Sequence, residues 1–245
     1  HVIGGGSRKR TVIHPTLEGR KKASSIIVPS SQNIGKIVGN FPDLVEIVGR
    51  DESIESISTM IHHGESLILT GLPGIGKTAL VRCIVQLFVE QGQTVRWMRF
   101  DADSDSQSVG NTLIGPDSPS TLEAIVGMLP EDDIIVLDEI QEVHSRHLQR
   151  VEQLCNLFLE RGRSILISRA PVPLGINGES VRIDGLSAES ARTILGDRVD
   201  DQLGLEIVSA LGGHPLAIGL WSPDDSLPTA SDAVMSFVQE TVLDH

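Results

Sequence analysis

Apolar residues in this chain fall into two rhythms. Short runs without polar alternation, Leu67-Ile68-Leu69, DIIVLDE (133–139) and SILIS (164–168), have the pattern of strands covered by helices on both faces. VRWMRF (95–100) alternates as a strand, and VRID (181–184) leads into later helices. Between the strands lie segments of helical spacing. Asp51 or Ser53 can cap a helix running to about His62, ALVRCIVQLFVE (79–90) reads as a mostly buried helix ended by Gly92, and a further helix is expected at about 119–129. Helices then start at Ser187 and near Asp200, and Gly212-Gly213 stop one helix where Pro215 starts the next. Residues 23–45 read as a connector with an apolar strip, Ile26, Ile27 and Val28, broken by Pro29 and Pro42. The class is α/β.

At 245 residues the chain can hold one large α/β domain and a small satellite. Charge divides it. Residues 1–22 set Arg8, Lys9, Arg10, Arg20, Lys21 and Lys22 against Glu18, a net of +5, and the total of −13 leaves −18 for the remainder. An acidic body argues against a broad nucleic-acid footprint, whereas the basic, Gly/Ser-containing arm reads either as a solvated linker or as a segment that touches nucleic acid or an anionic surface. Cys83 and Cys155, isolated in predicted helices, make no disulfide framework, which points to a reduced, cytoplasmic setting. No apolar run approaches a membrane span and no signal peptide is visible; a start at His1 rather than Met reads as a fragment of a longer protein.

Lysine usage singles out one position. Beyond Lys36 the only lysine is Lys77, inside GLPGIGKT (71–78), which fits the phosphate-binding pattern G-x-x-x-x-G-K-[ST]. Gly71, Gly74 and Gly76 can take backbone conformations that turn successive N–H groups toward an anion with no Cβ in the way. A helix starting near Lys77 adds the positive end of its dipole, the Lys77 ammonium suits terminal phosphates, and the Thr78 hydroxyl suits Mg²⁺. Ile75 and Ala79 complete the nucleotide's surround.

The second chemical group is Asp138 and Glu139 at the end of an apolar strand. In α/β sheets such ends face the ligand edge, so Asp138 is expected to hold Mg²⁺ directly or through water, and Glu139 to orient or deprotonate a water attacking the γ-phosphate. Ser168 and Arg169 emerge at the same edge, where the arginine can meet the γ-phosphate bidentately. Two other patterns carry less. Asp101, Asp103 and Asp105 match the start of an EF-hand loop, but Ser106 replaces its turn glycine and Thr112 its terminal glutamate, so DADSDS (101–106) reads as a solvated loop. His144 and His147, without a third candidate ligand, read as an exposed helix face rather than a zinc site.

The series VGRDE (48–52), GLPGIGKT (71–78), IIVLDE (134–139), ILISR (165–169) and GGHPLAI (212–218) resembles the nucleotide-binding module of STAND ATPases, AAA+-related signalling proteins that include the NB-ARC group and bacterial transcriptional or defence regulators. The likeness covers about residues 46–220. It implies a P-loop NTPase with a parallel five-stranded sheet in the order 5-1-4-3-2 and a small helical lid. It further implies that Val48, Gly49 and Arg50 line the adenine pocket, and that Pro215, with His214, closes over ATP or ADP. Such proteins continue into a winged-helix domain and a repeat sensor, which are absent between His1 and His245, so effector and sensor domains are expected elsewhere in the full protein. A second arginine of the kind used by hexameric AAA+ motors is not evident in the lid segment, which favours a switch over a motor.

The expected organisation is a basic arm and connector (1–45), a nucleotide-binding domain (46–185) and a lid (186–245). The expected function is a switch that rests with ADP, exchanges it for ATP, self-associates when loaded and hydrolyses slowly with Mg²⁺. Two other classes remain open: an AAA+ or archaeal-type ATPase that remodels DNA or protein, to which the EIQ after Asp138 lends some support, and a nucleotide-dependent scaffold that does not hydrolyse.

Overall fold

Parallel strands in this protein are joined through helices that cover both faces of one sheet, and the apolar runs have the two-sided composition this requires. The computed structural model describes residues 35–43, 45–223 and 236; the basic arm and the Ile26-Ile27-Val28 strip lie outside these residues. Strands are β1 (Ile37–Gly39), β2 (Leu67–Gly71), β3 (Val95–Arg99), β4 (Ile134–Asp138), β5 (Ser164–Arg169) and β6 (Ser180–Arg182). Helices are α1 (Asp51–His62), α2 (Lys77–Glu90), α3 (Ser106–Leu113), α4 (Leu122–Gly127), α5 (Ser145–Arg161), α6 (Ala188–Leu195), α7 (Asp201–Ala210) and α8 (Pro215–Leu220).

The strand order is β1-β3-β4-β5-β2-β6, with every pairing parallel. Among the described residues the expectation of five strands is corrected to six: β1 adds to the β3 edge of a sheet whose other five strands keep the succession implied by the resemblance. Only three residues long, with Ile37 44% exposed, β1 carries too little apolar pattern to stand out in its connector.

Side chains alternate between two cores because the strand period is two. Leu67, Leu69, Ile134, Val136, Ile165 and Ile167 face α1 and α2, packing with Ile57, Ile61, Leu80 and Ile84. Ile68, Ile135, Leu137 and Leu166 face the opposite way, onto Val109, Leu113, Ile125, Leu154 and Phe158 of α3, α4 and α5. A third cluster, Leu186 to Trp221, joins α6, α7 and α8 through Leu195, Ile207, Leu211 and Ile218.

Local chemistry fixes the helix starts. Asp51 and Glu52 sit in the first turn of α1, where the dipole favours anions. Ser187 and Asp200 cap α6 and α7 by accepting from the N–H groups of Ser190 and Leu203. The acidic run 101–106 becomes a local turn and cap: the Asp101 carboxylate accepts from Asp103 N–H and the Ser104 hydroxyl, while Asp105 and Ser108 form a capping box for α3. Helix α4 is shorter than its apolar pattern predicts, with Thr121 extended at its start and Pro130 beyond its end. Among the described residues no helix is long and apolar enough to cross a membrane.

Candidate functional site

The carboxyl ends of β2, β4 and β5 bring Gly71, Asp138 and Arg169 to one edge of the sheet. Leaving β2, the chain turns through Gly74 (φ 75°) and Gly76 (φ 97°) into α2. At Gly76 an added Cβ would meet nothing within 4 Å, so glycine is required there by the left-handed backbone and not by crowding. Lys77 is buried, and its ammonium donates to the carbonyls of Gly71 (3.0 Å) and Leu72 (2.9 Å) across the loop. Burial lowers its pKa from the ordinary lysine value, the Glu139 and Asp138 carboxylates oppose that shift, and Arg169 adds to it.

Thr78 follows on the first turn of α2, and its hydroxyl donates to both carboxylate oxygens of Asp138, at 3.2 and 3.1 Å. Asp138 is 1% exposed. Desolvation, reinforced by the Glu139 charge, raises its pKa to about 6 against the hydrogen bond from Thr78 and the Arg99 charge. A buried carboxylate beside a hydroxyl, both hard oxygen donors with too little positive charge around them, fits Mg²⁺. Adjacent ligands of an octahedral Mg²⁺ lie about 2.9 Å apart, given bonds of about 2.0–2.1 Å, close to the separation here.

The raised pKa makes a stability prediction for the metal-free protein. The folded carboxyl holds its proton more tightly than the unfolded one, so its contribution favours folding at acid pH and is lost as pH rises from 3.8 through about 6. Asp138→Asn removes that penalty, and the metal-free variant is expected to be more stable than the wild type by up to about 3 kcal/mol at pH 8, with the difference vanishing toward pH 4. Thermal melts in chelator at both pH values check it. An equal melting temperature at pH 8 would mean that the Asp138 charge is already balanced.

Glu139 takes a left-handed backbone (φ 62°, ψ 40°), a conformation that costs a non-glycine residue about 1–3 kcal/mol. It ends β4 abruptly and starts a single 3-10 turn, Ile140–Glu142, held down by the fully buried Ile140. The Glu139 carboxylate accepts from the Gln141 amide and faces the Arg169 guanidinium at 3.5 Å, while Arg169 lies closer to Glu142, at 2.8 Å. Gln141 also accepts the backbone N–H of Arg169 at 3.1 Å.

A cavity of about 340 Å³, large enough for a small ligand, opens at this edge. Gly74, Gly76, Lys77, Thr78 and Ala79 form one wall, with Glu139 and Arg169 at one end. Pro42, Asp43, Val45 and Arg82 form a side that the sequence did not single out. Arg82 secures it, donating to the Pro42 carbonyl (2.9 Å) and stacking over Phe41 (4.2 Å), which packs edge-on against Trp97. A second cavity of about 500 Å³ shares Glu139 and Arg169 with the first and is also bordered by Asn40, Arg99 and Asp101.

Several other expected site residues sit behind the cavity wall. Arg50 donates to the Ile75 carbonyl (3.1 Å), Ile75 is buried in the core, and a Cβ on Gly49 would lie 2.0 Å from the Ser190 hydroxyl oxygen. VGR (48–50) therefore connects the loop to α6, and neither it nor Ser168 lines the cavity; the Ser168 hydroxyl donates to the Arg169 carbonyl. His214 reaches the loop from the other side. Its Nδ1 accepts from Ala217 N–H (3.2 Å), capping α8, so Nε2 carries the proton and donates to the Pro73 carbonyl at 2.8 Å. Pro215 is the first residue of α8, and Leu216 after it lines the cavity. Gly74 is the glycine this approach needs, since an added Cβ would lie 2.6 Å from Leu216 Cδ2 and 3.1 Å from His214 Cε1. Elsewhere, His144 caps α5 and His147 accepts from the Arg146 side chain.

A profile described as the MoxR domain of MoxR-vWA-beta-propeller ternary systems matches residues 42–165, about half of the chain, and the protein belongs to this family of MoxR-type AAA+ ATPases. The match contains the Gly71–Thr78 loop, Asp138 and Glu139. No curated protein sequence matches. Among solved structures, the fold is similar to a STAND protein with a tetratricopeptide repeat sensor from Pyrococcus horikoshii (TM-score 0.55, 17% identity, 87% of this chain and 34% of that one). It is also similar to a Walker-type ATPase from Pyrococcus abyssi (TM-score 0.52, 14% identity, 83% of this chain and 75% of that one). At these identities the likeness is one of fold. This chain spans about a third of the length of the STAND protein.

Proposed function

We propose, from membership of a MoxR-type AAA+ ATPase family, that this chain is a cytoplasmic ATP/ADP-dependent switch with slow Mg²⁺-dependent hydrolysis. In this reading 46–185 binds the nucleotide and 186–245 is a lid. The observation that carries it is the hydrogen bond from His214 to the Pro73 carbonyl, because it ties the α6–α8 cluster to the phosphate loop itself. A nucleotide that rearranges the loop then either carries the lid with it or breaks this bond, and in both cases the ligand biases the lid, which is the coupling a switch needs.

Each residue has a role in this reading. The N–H groups of Gly74 to Thr78 and the Lys77 ammonium hold the β- and γ-phosphates, with the positive end of α2 behind them. Thr78 and Asp138 would hold Mg²⁺, which would supply the charge that neutralises the phosphate oxygens. Glu139 accepts a proton from the attacking water, and Arg169 turns from Glu142 to the γ-phosphate. Pro42, Asp43, Val45 and Arg82 flank the base and ribose. Slow turnover is what the STAND-like order of motifs implies, and Arg169, paired at rest with Glu139 and Glu142, turns to the phosphate when nucleotide is bound. The STAND-like order of motifs supports a signalling, transcriptional or defence role with nucleotide-dependent self-association, within a protein that has effector and sensor domains.

A second reading is supported by the family description, which pairs MoxR domains with vWA and beta-propeller partners. There the same site drives an ATPase that remodels a partner protein. The two readings differ in product release, since a switch keeps ADP and a remodelling ATPase releases it quickly when its partner is present.

The lid gives the test. ADP is expected to protect both the 71–79 loop and the 187–220 segment from hydrogen exchange, and to raise the melting temperature. Burial holds the His214 pKa below the ordinary 6.5 against the opposing hydrogen bond to Pro73, so the folded site keeps a neutral ring. Protonation at Nδ1 would destroy the cap on Ala217, and lid protection should therefore weaken as pH falls below about 6.5. Protection confined to the loop at every pH would make the His214–Pro73 bond a packing contact without a role in switching.

A further inference from the structure

We infer that Gln141 is a positioning residue for Glu139, fixing the carboxylate in the orientation from which it takes a proton from water. This rests on the hydrolytic role proposed above for Glu139.

The Gln141 amide spends both of its polar ends on the site. Its oxygen accepts the Arg169 backbone N–H at 3.1 Å, and because an N–H can only donate, the amide orientation is set. The amide nitrogen is thereby turned to the Glu139 carboxylate, an acceptor-only group, and donates to it. Gln141 thus joins the ends of β4 and β5 at the point where water and γ-phosphate meet.

Nothing else described holds Glu139 with comparable permanence. Its other contact, the Arg169 guanidinium, lies at 3.5 Å, belongs to a side chain 46% exposed, and is closer to Glu142 at 2.8 Å. Arg169 must also leave when it turns to a phosphate. Gln141 does not leave with it, because it is bonded to the Arg169 main chain and not to the guanidinium. The position is rigid on its own side as well: it lies in the 3-10 turn whose first residue, Ile140, is fully buried, and directly follows the left-handed Glu139. A carboxylate on a strained backbone keeps one direction only while a neighbour holds it, and a neutral amide does so without placing a cation on the base.

The test is a double-mutant cycle in single-turnover ATP hydrolysis, followed over hours so that slow variants are measured. Gln141→Leu and the near-isosteric, uncharged Gln141→Met each remove both bonds without adding charge beside Glu139. Each is expected to lower the hydrolysis rate roughly 10- to 100-fold, the scale of a misplaced catalytic group, with ATP affinity unchanged within about threefold. On a Glu139→Gln background the same changes should cost nothing further, since there is no base left to position. Full turnover in Gln141→Leu, or an equal loss on both backgrounds, overturns the proposal, and so does loss of ATP binding in the near-isosteric Gln141→Met. Wild-type turnover in Glu139→Gln alone would instead remove the catalytic assignment of Glu139, and the positioning role with it.

Discussion

Glu139→Gln is expected to bind Mg²⁺-ATP as tightly as the wild type and to hydrolyse it about 10²–10⁴-fold more slowly, the contribution usual for a general base. The substitution keeps the shape of the side chain at a backbone position already under strain. It also keeps an oxygen able to accept from Gln141. What it removes is the charge that takes the proton. Binding should survive because the phosphate cradle is built from the loop, Lys77, Thr78 and Asp138, each positioned by β2, α2 or β4 independently of the Glu139 charge. Rapid-quench measurement of ATP cleavage, beside a calorimetric titration of the same preparation, separates the two effects. Wild-type cleavage in this variant would favour water positioned by other groups.

Lys77→Ala should instead act on binding, lowering ATP and ADP affinity by about tenfold or more. Charge-assisted hydrogen bonds of this kind contribute roughly 1.5–3 kcal/mol, and the cavity offers little to replace the ammonium. Arg82 is engaged by Pro42 and Phe41, and Arg169 by two carboxylates. The lysine also ties the Gly71 and Leu72 carbonyls together, so its removal loosens the loop before any ligand arrives. Calorimetry with ADP, supported by a thermal melt showing that the variant folds, decides the matter; unchanged affinity in a folded variant would remove Lys77 from the site.

Features readable from the sequence were those encoded in contiguous residues. The glycines of GLPGIGKT determine a backbone path, and apolar runs such as IIVL have no other economical place than a sheet covered on both faces. The ends of β4 and β5 placed Asp138, Glu139 and Arg169 at one edge for the same reason. What escaped was assembled across distance. Pro42, Asp43 and Val45 come to the cavity only because β1 joins the sheet and Arg82 of α2 captures the loop after it, and a three-residue edge strand leaves almost no periodic trace. The resemblance assigns VGR (48–50) to an adenine pocket, and the contacts of Gly49 with α6 and of Arg50 with the Ile75 carbonyl are not announced by that motif. The link from Gln141 to Arg169 spans 28 residues and rests on the left-handed turn at Glu139, which no local pattern announces at a non-glycine position.

The most direct test is a single-turnover experiment on the wild-type chain, with labelled ATP limiting, Mg²⁺ saturating, and protein-bound and free nucleotide separated at successive times. ATP is expected to become bound and to convert slowly to ADP only when Mg²⁺ is present, with the ADP staying on the protein long after cleavage. ATP that remains intact with Mg²⁺ saturating, or ADP that appears free in solution as fast as it forms, would contradict the proposed switch.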